Sequence, residues 1–80
     1  WTVGMDMAAD EDIYDLRVVH DPLALVLGSE GRGLGRLTRE RCDLIVKIPL
    51  SGITESLNVG AAAAIGCFEI SRQRLTKVKR

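Results

Sequence analysis

The chain has 80 residues, 46% of them hydrophobic, with 11 Lys+Arg against 11 Asp+Glu and only Trp1, Tyr14 and Phe68 as aromatics. That composition is too apolar and too neutral for a disordered tail, and no apolar run approaches the roughly 18 residues of a membrane span. Two cysteines 25 positions apart, Cys42 and Cys67, make neither a disulfide framework nor a metal cluster, so no metal is expected and a reducing compartment fits.

The residues from Trp1 to Met5 are short, β-prone and partly apolar, and predict a strand. Residues 6–12 are acidic and small and predict a loop. Ile13, Tyr14 and Leu16 support one helical turn with Asp12 as its N-cap. Asp21-Pro22 is a break. The run Leu23–Leu27 is continuous and apolar, which suits a strand of a parallel sheet covered on both faces.

Four glycines follow within Gly28-Ser29-Glu30-Gly31-Arg32-Gly33-Leu34-Gly35. The spacing fits neither a P-loop nor a dinucleotide fingerprint, so a tight structural turn and close main-chain approach to a ligand are both open. A short helix comes next, with Leu34, Leu37 and Arg41 on one face and Arg36, Arg39 and Glu40 toward solvent. Leu44–Ile48 is another strand, ended by Pro49, and residues 50–55 form a second loop. A long helix is predicted from Ser56 or Leu57 to about Leu75, with Ser56 as N-cap and Ala61–Ala64 allowing close packing. Ile65, Phe68 and Ile70 are its apolar residues and fit either the core or an interface; Cys42 and Cys67 fit small buried hydrophobes.

Alternation of strand and helix predicts an α/β fold with a parallel sheet and flanking helices. With neighbouring parallel strands, Gly28 and Ile48 share one edge of the sheet, and the start of the last helix returns to it. Ligands of open α/β sheets bind there. Glu30, Ser56 and Asn58 are the polar groups available, and each also has a local structural use: a helix N-terminus, an N-cap and a first helical turn.

Neutrality hides a polarity. Residues 1–21 carry Asp6, Asp10, Glu11, Asp12, Asp15 and Asp21 against Arg17 alone. Residues 22–71 are balanced, and residues 72–80 carry Arg72, Arg74, Lys77, Lys79 and Arg80 with no acid. A basic end suits phosphate binding, and equally the negative end of a helix.

Taken in order, Leu25–Gly31, Cys42-Asp43, Ile48–Gly52, Glu55–Val59 and Arg72-Gln73-Arg74 resemble the SpoU/TrmH branch of the SPOUT RNA methyltransferases, over residues 1–74 or so. The likeness is strongest to enzymes that methylate a guanosine 2′-hydroxyl of 23S ribosomal RNA. It implies the C-terminal, trefoil-knotted half of a SPOUT domain, an exception to unknotted topology, occupying residues 1–80. It implies S-adenosylmethionine as cofactor, held largely through backbone by Gly28, Ile48 and Leu57, with Leu27, Gly31, Leu50 and Asn58 beside them. Glu30, Ser56 and Asn58 match polar positions of the family's active site. RNA is the implied partner, and a cytoplasmic homodimer through the helix Leu57–Leu75 the implied assembly.

The family's first motif, Asn-x-Gly-x-x-x-Arg, supplies an arginine that activates the ribose hydroxyl. It does not occur in this sequence, and the start at Trp1 reads as a cut that leaves this half inactive by itself. By the resemblance, Gly60 stands where the family often has Ser or a similar small residue, and it weakens the helix by roughly 0.5–1 kcal/mol relative to Ala. The alternative function is a non-catalytic knotted module that binds RNA through the basic end.

Overall fold

A computed structural model describes residues 1–28, 33–49 and 58–78, with the side chains of residues 77 and 78 set aside. In chain order it contains β1 (Thr2–Met5), β2 (Glu11–Asp12), a 3-10 turn (Ile13–Asp15), β3 (Ala24–Leu27), α1 (Arg36–Arg41), β4 (Leu44–Lys47) and α2 (Val59–Val78). The strands form one wholly parallel sheet in the order β2-β4-β1-β3. β1 is therefore central, between β3 and β4. Gly28 and Ile48 share an edge as expected, but their strands are not neighbours, and the end of β1 lies between them.

Side chains alternate across a strand, and the register sorts them. Val3 pairs with Leu25 and Leu44, and Met5 pairs with Leu27 and Val46, so these six share one face. They form the core with Ile13, Leu16, Val18, Val19, Ile48 and Ile70. α2 covers that face through Ala62, Gly66, Glu69, Ile70 and Gln73, the spacing of one helical stripe. Gly66 lies against Leu25 and Met5 so closely that a Cβ would stand 2.9 Å from Leu25 Cδ2 and 3.0 Å from Met5 Sδ. The small-residue helix thus settles directly on the sheet.

The other face is that of Gly4, Val26 and Ile45. Here the missing side chain of Gly4 admits Ile45 of β4 and Leu34 and Cys42, the last two of which bracket α1. The two helices lie on opposite faces, as the continuous apolar strands imply.

Several local expectations are corrected. Residues 11–12, assigned to a loop, form β2, because Glu11 and Asp12 are drawn into register with Val46 and Lys47 of β4. Asp12 stands before the 3-10 turn in extended conformation but makes no side-chain cap bond. Leu37 is exposed instead of sharing a buried face with Leu34. Cys67 is exposed and Cys42 only half-buried, so neither is a fully buried hydrophobe. Of the apolar residues of α2, Ile70 is core, whereas Ile65, Phe68 and Leu75 are exposed.

Candidate functional site

The carboxyl ends of β1, β3 and β4 converge at Asp6, Gly28 and Ile48. Gly28 and Ile48 are separated by the width of β1, about 10 Å at two strand spacings. Leu27, the last residue of β3, is half-buried beside Gly28. Ile48 is buried in the core, so only its main chain faces the edge.

The glycine positions here are required by geometry. A Cβ on Gly28 would collide with the carbonyl of Gly33. Gly33 itself has φ +72°, in the left-handed region that favours glycine. A Cβ on Gly33 would lie 3.0 Å from Asp6 Oδ2. Gly28, Gly33 and Asp6 are thus stacked against each other at the edge.

Asp6 organises this contact, and the sequence reading counted it only as a charge. Its side chain is 13% exposed. It accepts hydrogen bonds from the N–H groups of Ala8 at 2.9 Å and Leu34 at 3.2 Å. Arg39 Nη1 lies 2.9 Å from Oδ2. Asp6 N–H donates to the carbonyl of Val46 at 2.9 Å, which ties the same residue to β4. Burial alone would raise the Asp6 pKa, but the Ala8 and Leu34 N–H groups and the Arg39 guanidinium outweigh it and hold the carboxyl below its ordinary value. Arg39 therefore does not point to solvent as expected. An Asp two residues before Ala8 is a recognisable Asx-turn signal; the Leu34 and Arg39 contacts had no local signal.

Asn58 caps α2. Its Oδ1 accepts from Ala61 N–H at 2.7 Å, and its carbonyl accepts from Ala62 N–H at 2.9 Å. The cap thus sits on Asn58, two positions later than the expected start, and the helix begins at Val59. α2 runs from Gly66 over Met5 to Arg74 beside Val19 and Asp21, opposite to the strands. Eight residues before Gly66, at 1.5 Å each, Asn58 stands about 12 Å back along the helix, beyond the carboxyl edge. The remaining candidates, Glu30, Gly31, Leu50, Ser56 and Leu57, lie outside the described residues.

At the far end of α2 the basic residues bond inward. Arg72 makes a two-pronged pair with Glu69, at 3.0 Å from Nε to Oε1 and 2.8 Å from Nη2 to Oε2. Gln73 Nε2 donates to Glu69 Oε2 at 2.6 Å and to the Ile13 carbonyl at 2.8 Å. Arg74 donates to the carbonyls of Val19 and Asp21. The Arg72 bond is the main influence that holds the Glu69 carboxyl below its ordinary value, against burial and with help from Gln73. Arg72-Gln73-Arg74 is therefore a clasp between α2 and residues 13–21, and both described arginines of the basic end are engaged within the fold.

A family model described as the SpoU rRNA Methylase family matches residues 1–68. The chain is 51% identical over 75 residues to the 23S rRNA (guanosine-2′-O-)-methyltransferase RlmB of Haemophilus influenzae, covering 94% of this chain and 30% of that protein. It is equally 51% identical over 75 residues to the RlmB of Vibrio parahaemolyticus, with 94% and 30% covered. Among solved structures, the SpoU methyltransferase AviRb from Streptomyces viridochromogenes superposes with TM-score 0.85 at 37% identity, covering 95% of this chain and 29% of that one. AviRb in complex with the cofactor AdoMet superposes with TM-score 0.82 at 38% identity, covering 92% and 28%. The chain thus spans 30% of the length of these curated relatives.

Proposed function

The chain belongs to the SpoU rRNA Methylase family, and from that premise we propose that its protein transfers a methyl group from S-adenosylmethionine to a ribose 2′-hydroxyl of ribosomal RNA, with residues 1–80 as the cofactor-binding half. The observation that carries this reading is the carboxyl edge itself, where Leu27 and Gly28 lie on one side of Asp6 and Ile48 on the other. The rRNA 2′-O-methyltransferases that match nearly the whole chain support it, as does the likeness to a chain solved with AdoMet.

The residues present suit such a ligand. Gly28 has no room for a side chain, and the side chain of Ile48 is in the core. Both therefore offer main-chain N–H and carbonyl groups, which can hold the edge of a heterocycle without a charged partner. S-adenosylmethionine, when bound, supplies an electrophilic methyl on a sulfonium. The protein has to position the ribose oxygen in line with it and to stabilise that oxygen as its proton leaves. Glu30, Ser56 and Asn58 are assigned to the polar surroundings of that oxygen. Proton removal is assigned to an arginine of the Asn-x-Gly-x-x-x-Arg type, the family's first motif.

The same reading extends to assembly. The whole domain is taken to carry the trefoil knot of the SPOUT fold, and the protein to act as a cytoplasmic homodimer. Ile65, Phe68 and Leu75, exposed on α2, support a helix-mediated interface, since Phe68 is 74% exposed.

Calorimetry with S-adenosylmethionine and transfer of labelled methyl to rRNA by the full-length protein test the reading. Cofactor binding and transfer are expected, with transfer lost on Asn58→Ala. Binding of RNA without any cofactor heat overturns it in favour of a non-catalytic RNA-binding module.

A further inference from the structure

The sheet order gives one residue a role that neither its family likeness nor its surroundings in sequence assign. We propose that Asp6, together with Arg39, is a positioning residue that holds Gly33 and Leu34, and through them Gly28, in the arrangement that accepts the cofactor. The inference rests on the methyl-transfer reading above.

Asp6 follows the central strand, so its carboxylate emerges between the exits of β3 and β4. Its own N–H is bonded to Val46 at 2.9 Å, which anchors the residue to the sheet. The carboxylate then reaches outward to Leu34 N–H at 3.2 Å and Arg39 at 2.9 Å. Gly33 lies between Leu34 and the carbonyl contact with Gly28. The path from a rigid strand to the candidate cofactor residue is thus Val46, Asp6, Leu34, Gly33 and Gly28, each link a hydrogen bond, a peptide bond or a close contact. A ligand site on loops is only as well shaped as the rigid groups that support it.

Chemistry makes this position demanding. Three donors converge on one carboxylate, which only an acceptor with no N–H of its own can serve. An Asn would turn its NH2 either toward the Ala8 N–H or toward the Leu34 N–H and Arg39 together, since these two share Oδ2. A Glu would carry an extra methylene into the space beside Gly33, whose Cβ position already lies 3.0 Å from Oδ2.

The test uses the full-length protein. Asp6→Asn is expected to weaken S-adenosylmethionine binding by about tenfold, because the competent arrangement becomes a minor population. At saturating cofactor, kcat is expected to stay within about twofold and the KM for RNA to be unchanged, since only the population of the binding shape is altered. Asp43→Asn is the control. Asp43 bonds Thr2 at the opposite edge of the sheet, at 2.7 Å to N–H and 3.0 Å to Oγ1, so its loss is expected to lower Tm without moving the cofactor Kd.

Should Asp6→Asn fail to fold, Arg39→Ala carries the same measurement, with Arg39→Lys restoring part of the affinity. A folded Asp6→Asn, or failing that Arg39→Ala, with wild-type cofactor Kd overturns the inference and leaves the methyl-transfer reading standing. A wild-type protein that gives no cofactor heat overturns both.

Discussion

The side-chain amide of Gln73 donates a hydrogen bond to the main-chain carbonyl of Ile13 at 2.8 Å, joining α2 to the 3-10 turn across 60 positions of sequence. Ile13 is fully buried and begins the segment that fills the core beneath α2. Gln73 therefore satisfies a carbonyl beside that core, and Glu69 fixes the amide from its other side at 2.6 Å. Gln73→Met keeps the bulk and removes both bonds. It is expected to destabilise the fold by about 1–3 kcal/mol, the cost of leaving such groups unmade, read as a lower urea midpoint at unchanged m-value.

Acid stability should report Asp6 and Glu69 together. Both carboxyls are held below their ordinary values of 3.8 and 4.5. A depressed folded pKa means that the unfolded chain binds protons first, so the stabilisation is present in full above the unfolded values and is lost as pH falls through the folded ones. Stability is therefore expected to fall from near pH 4.5 downward. The Glu69→Gln and Asp6→Asn variants should each flatten that fall in denaturant titrations at successive pH values. An unchanged slope in both variants would contradict the assigned contacts.

Glycines of this chain should respond to alanine in opposite directions. At Gly28 a Cβ collides with the carbonyl of Gly33, so Gly28→Ala forces the two ends of the loop apart. Overpacking of this kind costs about 1–3 kcal/mol or more, and cofactor affinity should fall with it. Gly60 is exposed in the first turn of α2, and its nearest neighbour, Asn58 Oδ1, would stand 3.5 Å from a Cβ. Gly60→Ala should stabilise by up to roughly 0.5–1 kcal/mol. Thermal melts of the two variants, shifted in opposite directions, check the pair.

Phe68 tests the proposed homodimer separately from folding. At 74% exposure it adds little to the core of one chain. Phe68→Asp is expected to change the stability of the protomer by no more than about 0.5 kcal/mol, while sedimentation of the full-length protein shifts from dimer to monomer mass. A variant that sediments as the wild type would overturn the proposed interface through Phe68.

Much of the fold was legible locally. The apolar runs before Gly28 and Pro49 marked β3 and β4, and the glycine density between them marked the loop whose ends close on Gly28 and Gly33. The long helix was legible too, but not its buried stripe: of Ile65, Phe68 and Ile70, only Ile70 joins the core, beside Ala62. β2 was not legible, because Glu11 and Asp12 have no preference for a strand and pair only because β4 offers them an edge. Arg72 and Arg74 looked like a free cationic end, since nothing near them in sequence reveals Glu69 turned inward or the carbonyls of Val19 and Asp21.

Sequence by itself determined the element types apart from β2, the carboxyl edge as the candidate site and the family that the motif order resembles. These follow from periodicity, turn chemistry and residue identity, all of which act over a few neighbouring residues. Only the tertiary structure decided that β1 lies between β3 and β4. Strand order is chosen by burial summed over the whole sheet, so no local signal carries it. That order sets Asp6 against Gly33, Leu34 and Arg39, and makes a residue that was only one acid among six the support of the candidate site.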